Sequence, residues 1–221
     1  PFKLWKVSPV AFVGCFTIGL TNSAFRTMGP VYAQDVGLEV SQVAYFMTAG
    51  IIGAAVAQYP FGWLSDRIDR RWALIAATSG AVGAGLFLSS FGHLGPNYAY
   101  FGIFLFGAFA LPLYSLSAAH ANDFAKPGEY VELSIAIILT FSAGALFGPL
   151  IVSFVIESYG SRGFFLYTSV CHASLILFVL FRMTRRAVVP AEHRSPFVAF
   201  LRTSPAIFRL GRHGQKGAKK N

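Results

Sequence analysis

Long uncharged stretches divide this chain at near-regular intervals. A helix needs about twenty apolar residues to cross a hydrocarbon core, and windows of that length with almost no charge occur at residues 7–27, 41–65, 72–91, 97–119, 133–156 and 164–181. These windows predict an all-α membrane protein with six transmembrane helices, an even number that returns the chain to the side where it began. The intervening connections are short, and none has room for a second domain. Gly29 with Pro30, Gly95 with Pro96, and Pro127 with Gly128 fall between windows, where helices are expected to stop. A six-span domain is thus expected over residues 1–183, followed by a basic cytoplasmic tail over 184–221.

Composition supports this reading. Hydrophobic residues make up 55% of the 221 and charged residues only 12%, more apolar than a soluble domain of this size carries. Phe suits a lipid-facing surface, and the 22 glycines suit helices that approach closely in lipid. Cys15 and Cys171 lie inside apolar runs, where they are expected to be free thiols rather than an extracellular staple. The first apolar run is too long for a signal-peptide core and is expected to persist as a span. A chain that opens at Pro1 without Met is expected to be a truncated expression product, a processed chain or part of a longer one.

Sixteen of the 18 Lys and Arg residues precede the first window or follow the second, fourth or sixth, the last group running into the tail. Basic residues resist translocation, so that side is expected to be cytoplasmic and both termini with it. The net charge of +9 follows from this topology and the tail, and requires no nucleic-acid partner. Arg26 falls on the opposite side, close enough to the end of its span to snorkel.

The spans hold almost nothing that ionises. A mid-membrane Asp, Glu, Lys or Arg usually marks an ion or proton pathway because it is costly to keep there, and no such relay is evident. His172 is expected to be neutral and hydrogen-bonded to a neighbouring helix. Uncharged polar groups are more informative: Asn22 in the first span, Gln58 in the second, Tyr114 and Ser115 in the fourth and Thr140 in the fifth are candidates to line a solute cavity. A lone Ser or Thr more often bonds back to its own helix. Asn22 and Gln58 weigh more, because an amide in hydrocarbon needs several partners.

Helix breakers give a second clue. Pro112 and Pro149 interrupt the backbone ladder at membrane depth, which places those helices against a cavity or a neighbour. Gly144, Gly148 and Pro149 combine a small-residue contact face with a kink, so they join Pro112 as hinge candidates. No metal-ligand spacing, paired intramembrane carboxylates or nucleophile–base pattern points to an enzyme, and no cofactor is implied.

Between the second and third windows the chain reads FGWLSDRIDRR, with five charges of both signs in six residues. The order Gly62, Leu64, Asp66, Arg67, Arg70, Arg71 resembles the loop signature of the major facilitator superfamily, G-x-L-x-D-R-x-G-R-R/K, with Asp69 where that pattern prefers glycine. The segments GPVYAQDVG, ALPLYSLSAAHAND and GEYVELSIAIILTFSAGALFGP add to the likeness, which is similar to the bacterial YcaD-type permeases. The resemblance spans the whole chain and implies the carboxy-terminal half of a twelve-helix bundle, with six transmembrane helices in each half.

That resemblance implies transport of a small organic solute by alternating access, in a bacterial inner membrane. It implies a partner as well, either an amino-terminal six-helix half or a second copy. Asp66 would cap a helix of the other half as a conformational latch, and Arg67 with Arg70 or Arg71 would bridge neighbouring helix ends. Spans one, two, four and five would line the cavity. The competing reading is a non-transporting six-helix membrane protein whose basic tail binds anionic lipid or a cytoplasmic partner.

Overall fold

The computed structural model describes residues 2–125 and 128–185. Among them every regular element is helical. A short helix α1 (Phe2–Val7) leads into α2 (Pro9–Asp35), α3 (Val40–Arg67) and α4 (Arg70–Phe91). A single 3-10 turn then precedes α5 (Pro96–Ala110), α6 (Leu113–Asn122), α7 (Tyr130–Tyr159) and α8 (Arg162–Met183). The expected tail lies outside the described residues.

Helices α2 and α3 begin where local chemistry satisfies orphan amides. Ser8 accepts from the Ala11 amide at 3.2 Å with Pro9 in the first turn, and Gln42 accepts from the Glu39 amide at 3.0 Å. Helix ends are set by glycine: Gly95 has φ +146°, a conformation a side chain rarely tolerates, and hands over to Pro96 at the start of α5.

Two expectations about helix ends are corrected. The chain does not stop at Gly29–Pro30, because α2 runs through both to Asp35. Pro30 denies the Arg26 carbonyl its usual amide, a loss of about 3 kcal/mol in an isolated helix. Packing of the turn beyond it offsets the loss: Tyr32 is buried, donates to the Leu88 carbonyl at 2.9 Å, and meets Phe165 edge-on at 4.7 Å. The fourth span, in turn, is two helices rather than one. Leu111 and Pro112 separate α5 from α6, since Pro112 offers no amide to continue the ladder.

Five stretches are long and apolar enough to cross a membrane: α3, α4 with its 3-10 turn, α5–α6 together, α7 and α8. Helix α2 is equally long but more polar, carrying Thr17, Thr21, Asn22, Ser23 and Arg26. It is also packed among its neighbours, so Thr17, Thr21 and Asn22 are buried against protein, while Arg26 is exposed.

The helices associate mainly as three pairs, α2 with α7, α3 with α5 and α4 with α8. Removing apolar surface from lipid yields little hydrophobic gain, so close packing must hold such pairs. Glycine supplies it. A Cβ on Gly144 would run into the Phe16 carbonyl oxygen, one on Gly148 into that of Leu20, and one on Gly19 into that of Phe141. Backbones of α2 and α7 therefore touch along two helical turns. Gly53 against Phe104 and Gly107 against Gly50 do the same for α3 and α5.

Candidate functional site

The α2–α7 and α3–α5 pairs leave a cavity of about 270 Å³ between them. Helix α2 contributes Asn22 and Arg26; α3 contributes Ile51, Ala54, Ala55 and Gln58. The Pro112 break turns Leu111, Tyr114 and Ser115 towards the same space, and Phe141 of α7 closes it. No lining residue comes from α4 or α8. The size lies just below the roughly 300–1,000 Å³ of typical small-molecule pockets.

Four of the five residues singled out for a solute cavity meet here. Gln58 Nε2 donates to Ser115 Oγ at 3.0 Å, tying α3 to α6. Tyr114 and Phe141 meet edge-on with centroids 5.3 Å apart, forming an aromatic wall. Asn22 is only 8% exposed, and its Oδ1 has no hydrogen-bond partner among the described residues. A buried acceptor in that state is costly unless something arrives to satisfy it. Thr140 lies outside the lining: it is buried and donates back to the Ala136 carbonyl at 2.7 Å.

Arg26 is the lining residue that sequence reasoning placed elsewhere. It is exposed, one turn beyond Asn22 on the same helix face, and the cavity takes its side chain as part of the wall. The available signal was its i, i+4 spacing from Asn22. His172 also differs from expectation, since it bonds within its own helix through Nδ1 to the Thr168 carbonyl at 2.8 Å.

Gly144 and Gly148 form the contact face against α2 described above, while α7 continues unbroken through Pro149. Pro112, by contrast, does mark a break in the backbone.

The mixed-charge loop forms a network at one end of the bundle. Arg70 is 1% exposed; its Nη2 lies 3.3 Å from Asp66 Oδ1 and its Nε 3.2 Å from Asp123 Oδ2. It thereby joins the end of α3 to the end of α6. Arg71 Nη2 pairs with Asp69 Oδ2 at 2.7 Å, and the Arg67 guanidinium stacks 3.8 Å above the Trp63 ring. Gly62 is buried in the last turns of α3, and the Asp66 carboxylate remains 42% exposed.

Asp69 has a clear role in this turn. It is the N-cap of α4, accepting from the Arg71 amide at 3.0 Å, and its φ of −59° needs no glycine. Burial alone would raise its carboxyl pKa, but hydrogen bonds and charge from Arg71, with the nearby His120, outweigh that and hold it below the usual carboxylate range.

With this geometry in place, likeness to known proteins can be weighed. The sequence model described as Major Facilitator Superfamily matches residues 11–212. An uncharacterized MFS-type transporter YfkF of Bacillus subtilis is 28% identical over 76% of the chain and 42% of its own length. An uncharacterized MFS-type transporter YcaD of Escherichia fergusonii is 22% identical over 81% of the chain and 46% of its own. The chain thus spans less than half the length of these relatives.

Among solved structures, the human organic anion transporter MFSD10 (TETRAN) superposes with a TM-score of 0.59 at 20% identity, covering 90% of this chain and 52% of that one. That likeness shows a shared fold. The relatives are transporters rather than enzymes, and the long apolar helices make this a multi-pass membrane protein. The chain belongs to the major facilitator superfamily.

Proposed function

We propose that the chain is the carboxy-terminal half of a secondary transporter that moves a small organic solute across a bacterial inner membrane by alternating access. One observation carries the reading. Within a superfamily fold, four helices converge on a cavity whose wall is apolar and aromatic except for a few placed polar groups, Asn22 among them with an unsatisfied oxygen.

Relatives about twice as long supply the context for the second half. In this reading another six helices cover the cavity, and rocking of one half on the other opens it to each side in turn. Asp66 engages a helix end of that second half on the cytoplasmic side, and both termini of this chain are cytoplasmic. Support for the latch is the exposure that Asp66 keeps while Arg70 and Arg71 are buried in the loop. The competing role, a non-transporting protein acting through its tail, rests on residues outside those described.

Counterflow in proteoliposomes tests the reading directly. The intact protein is screened against radiolabelled organic solutes, with Gln58→Leu beside it. Transport of at least one solute, reduced by about tenfold in the variant as a buried polar contact is lost, supports the proposal. Equal transport by both proteins would remove the cavity from the solute pathway.

A further inference from the structure

We infer that the cavity selects an organic carboxylate, with Arg26 as the residue that determines the charge of the ligand. The inference rests on the transport reading above and narrows its substrate class.

Arg26 is a full charge on the wall of the cavity, exposed there and one turn from Asn22. None of the eight Asp and Glu residues among those described lines that cavity. Asp35, Glu39 and Glu157 lie at the ends of α2, α3 and α7 nearest Arg26 along the chain direction, and Asp66, Asp69, Asp123, Glu129 and Glu132 lie at the other end of the bundle. Arg26 makes no ion pair with a described residue. The guanidinium is therefore open to an anion that enters the cavity.

A second observation points the same way and fixes the geometry. Asn22 stands one turn, about 6 Å along the axis, from Arg26, and is more than nine-tenths buried with Oδ1 unpartnered in the same cavity. Either end of its amide can be turned to a ligand. Arginine presents a planar fork that matches a carboxylate in two parallel hydrogen bonds, with an orientation a lysine cannot impose. Apart from the Gln58–Ser115 pair, the rest of the wall is apolar or aromatic, with Ile51, Leu111, Tyr114 and Phe141, which suits a flat apolar body. The ligand is thus amphipathic: a carboxylate head at Arg26, with a hydrogen-bonding group or the head itself at Asn22, and an aromatic or branched apolar body against Phe141.

Three isosteric probes separate charge from shape: 1-naphthoate, the neutral 1-naphthamide and the cationic 1-naphthylmethylammonium. Their binding to the purified intact protein in detergent is measured by calorimetric titration. The expected result is a preference of about tenfold or more for the acid over the amide, in keeping with a charge-assisted bidentate contact. Arg26→Gln abolishes that preference, and Arg26→Lys retains part of it. Gln58→Leu weakens acid and amide alike. Thermal melting confirms that each variant is folded.

Parity of acid and amide in the wild type, as would follow if a carboxylate of the other half already neutralised Arg26, overturns the inference. An acid preference unchanged in Arg26→Gln does so as well. In either case the transport reading stands if counterflow of a neutral solute depends on Gln58. Binding of none of the three probes, together with absent counterflow, would overturn both.

Discussion

Arg70 and Asp123, the first residue of one helix and the residue just past the end of another, meet at 3.2 Å with only 1% and 3% of their side chains exposed. The contact fastens α4 to α6 beneath the cavity, because α6 also carries Tyr114 and Ser115. Removing the Asp123 charge leaves the buried Arg70 guanidinium with the half-exposed Asp66 as its carboxylate partner. Asp123→Asn is accordingly expected to destabilise the protein by about 3 kcal/mol, seen as a lowered melting temperature in detergent.

Asp66 contrasts with Asp123. Its bond to Arg70 is half in solvent, so Asp66→Asn should cost no more than about 1 kcal/mol in stability. If the carboxylate holds the cytoplasmic side closed, the same variant shifts the resting state towards inward opening. Hydrogen exchange on the α3–α4 loop and the facing half reports that shift, while unchanged exchange and transport would argue against a latch.

Gly144 and Gly83 separate packing from helix propensity. Gly144→Ala drives a methyl into the Phe16 carbonyl and is expected to cost about 1–3 kcal/mol. Gly83 has nothing within 4 Å of a built Cβ, so Gly83→Ala should be neutral or stabilise by up to about 1 kcal/mol. Melting curves of the two variants should move in opposite directions or differ by several degrees.

Asp69 predicts a pH dependence. Its folded-state pKa is depressed, so the native state binds fewer protons than the unfolded chain and gains stability wherever the unfolded carboxyl is already ionised. That contribution is complete above the ordinary Asp value of about 4 and falls away as pH drops through the lowered value. Asp69→Asn keeps a capping oxygen and flattens the acid limb of the melting profile, whereas Asp69→Gly, which restores the family's usual residue, loses the cap at a cost of about 1 kcal/mol or less.

Much of this was legible in the sequence because membranes simplify the physics. Charge-free windows located the five stretches long and apolar enough to cross a membrane, and the expense of an amide in hydrocarbon drew attention to Asn22 and Gln58 before any helix was placed. Other features depended on partners that a linear pattern does not show. Pro30 reads as a stop until Tyr32 is seen anchored to Leu88 and Phe165. Arg26 reads as a snorkelling end residue until α3 and α6 are packed around the face it shares with Asn22. Thr140 reads like its polar neighbours, yet a back-bond to Ala136 satisfies it. Asp69 reads as a flaw in a glycine turn, and only the backbone shows that a cap serves there instead.

The central claim is that one cavity serves both sides of the membrane, and accessibility of Ala55 tests it without knowledge of the substrate. Ala55 is exposed on the cavity wall. With Cys171 replaced by Ser, Ala55→Cys in the intact protein is treated with a membrane-impermeant thiol reagent from the outside of cells and, separately, on inverted vesicles. The account predicts labelling from both sides, with Asp66→Asn raising the cytoplasmic rate relative to the external one. Labelling from one side alone, unaltered by Asp66→Asn, would contradict it.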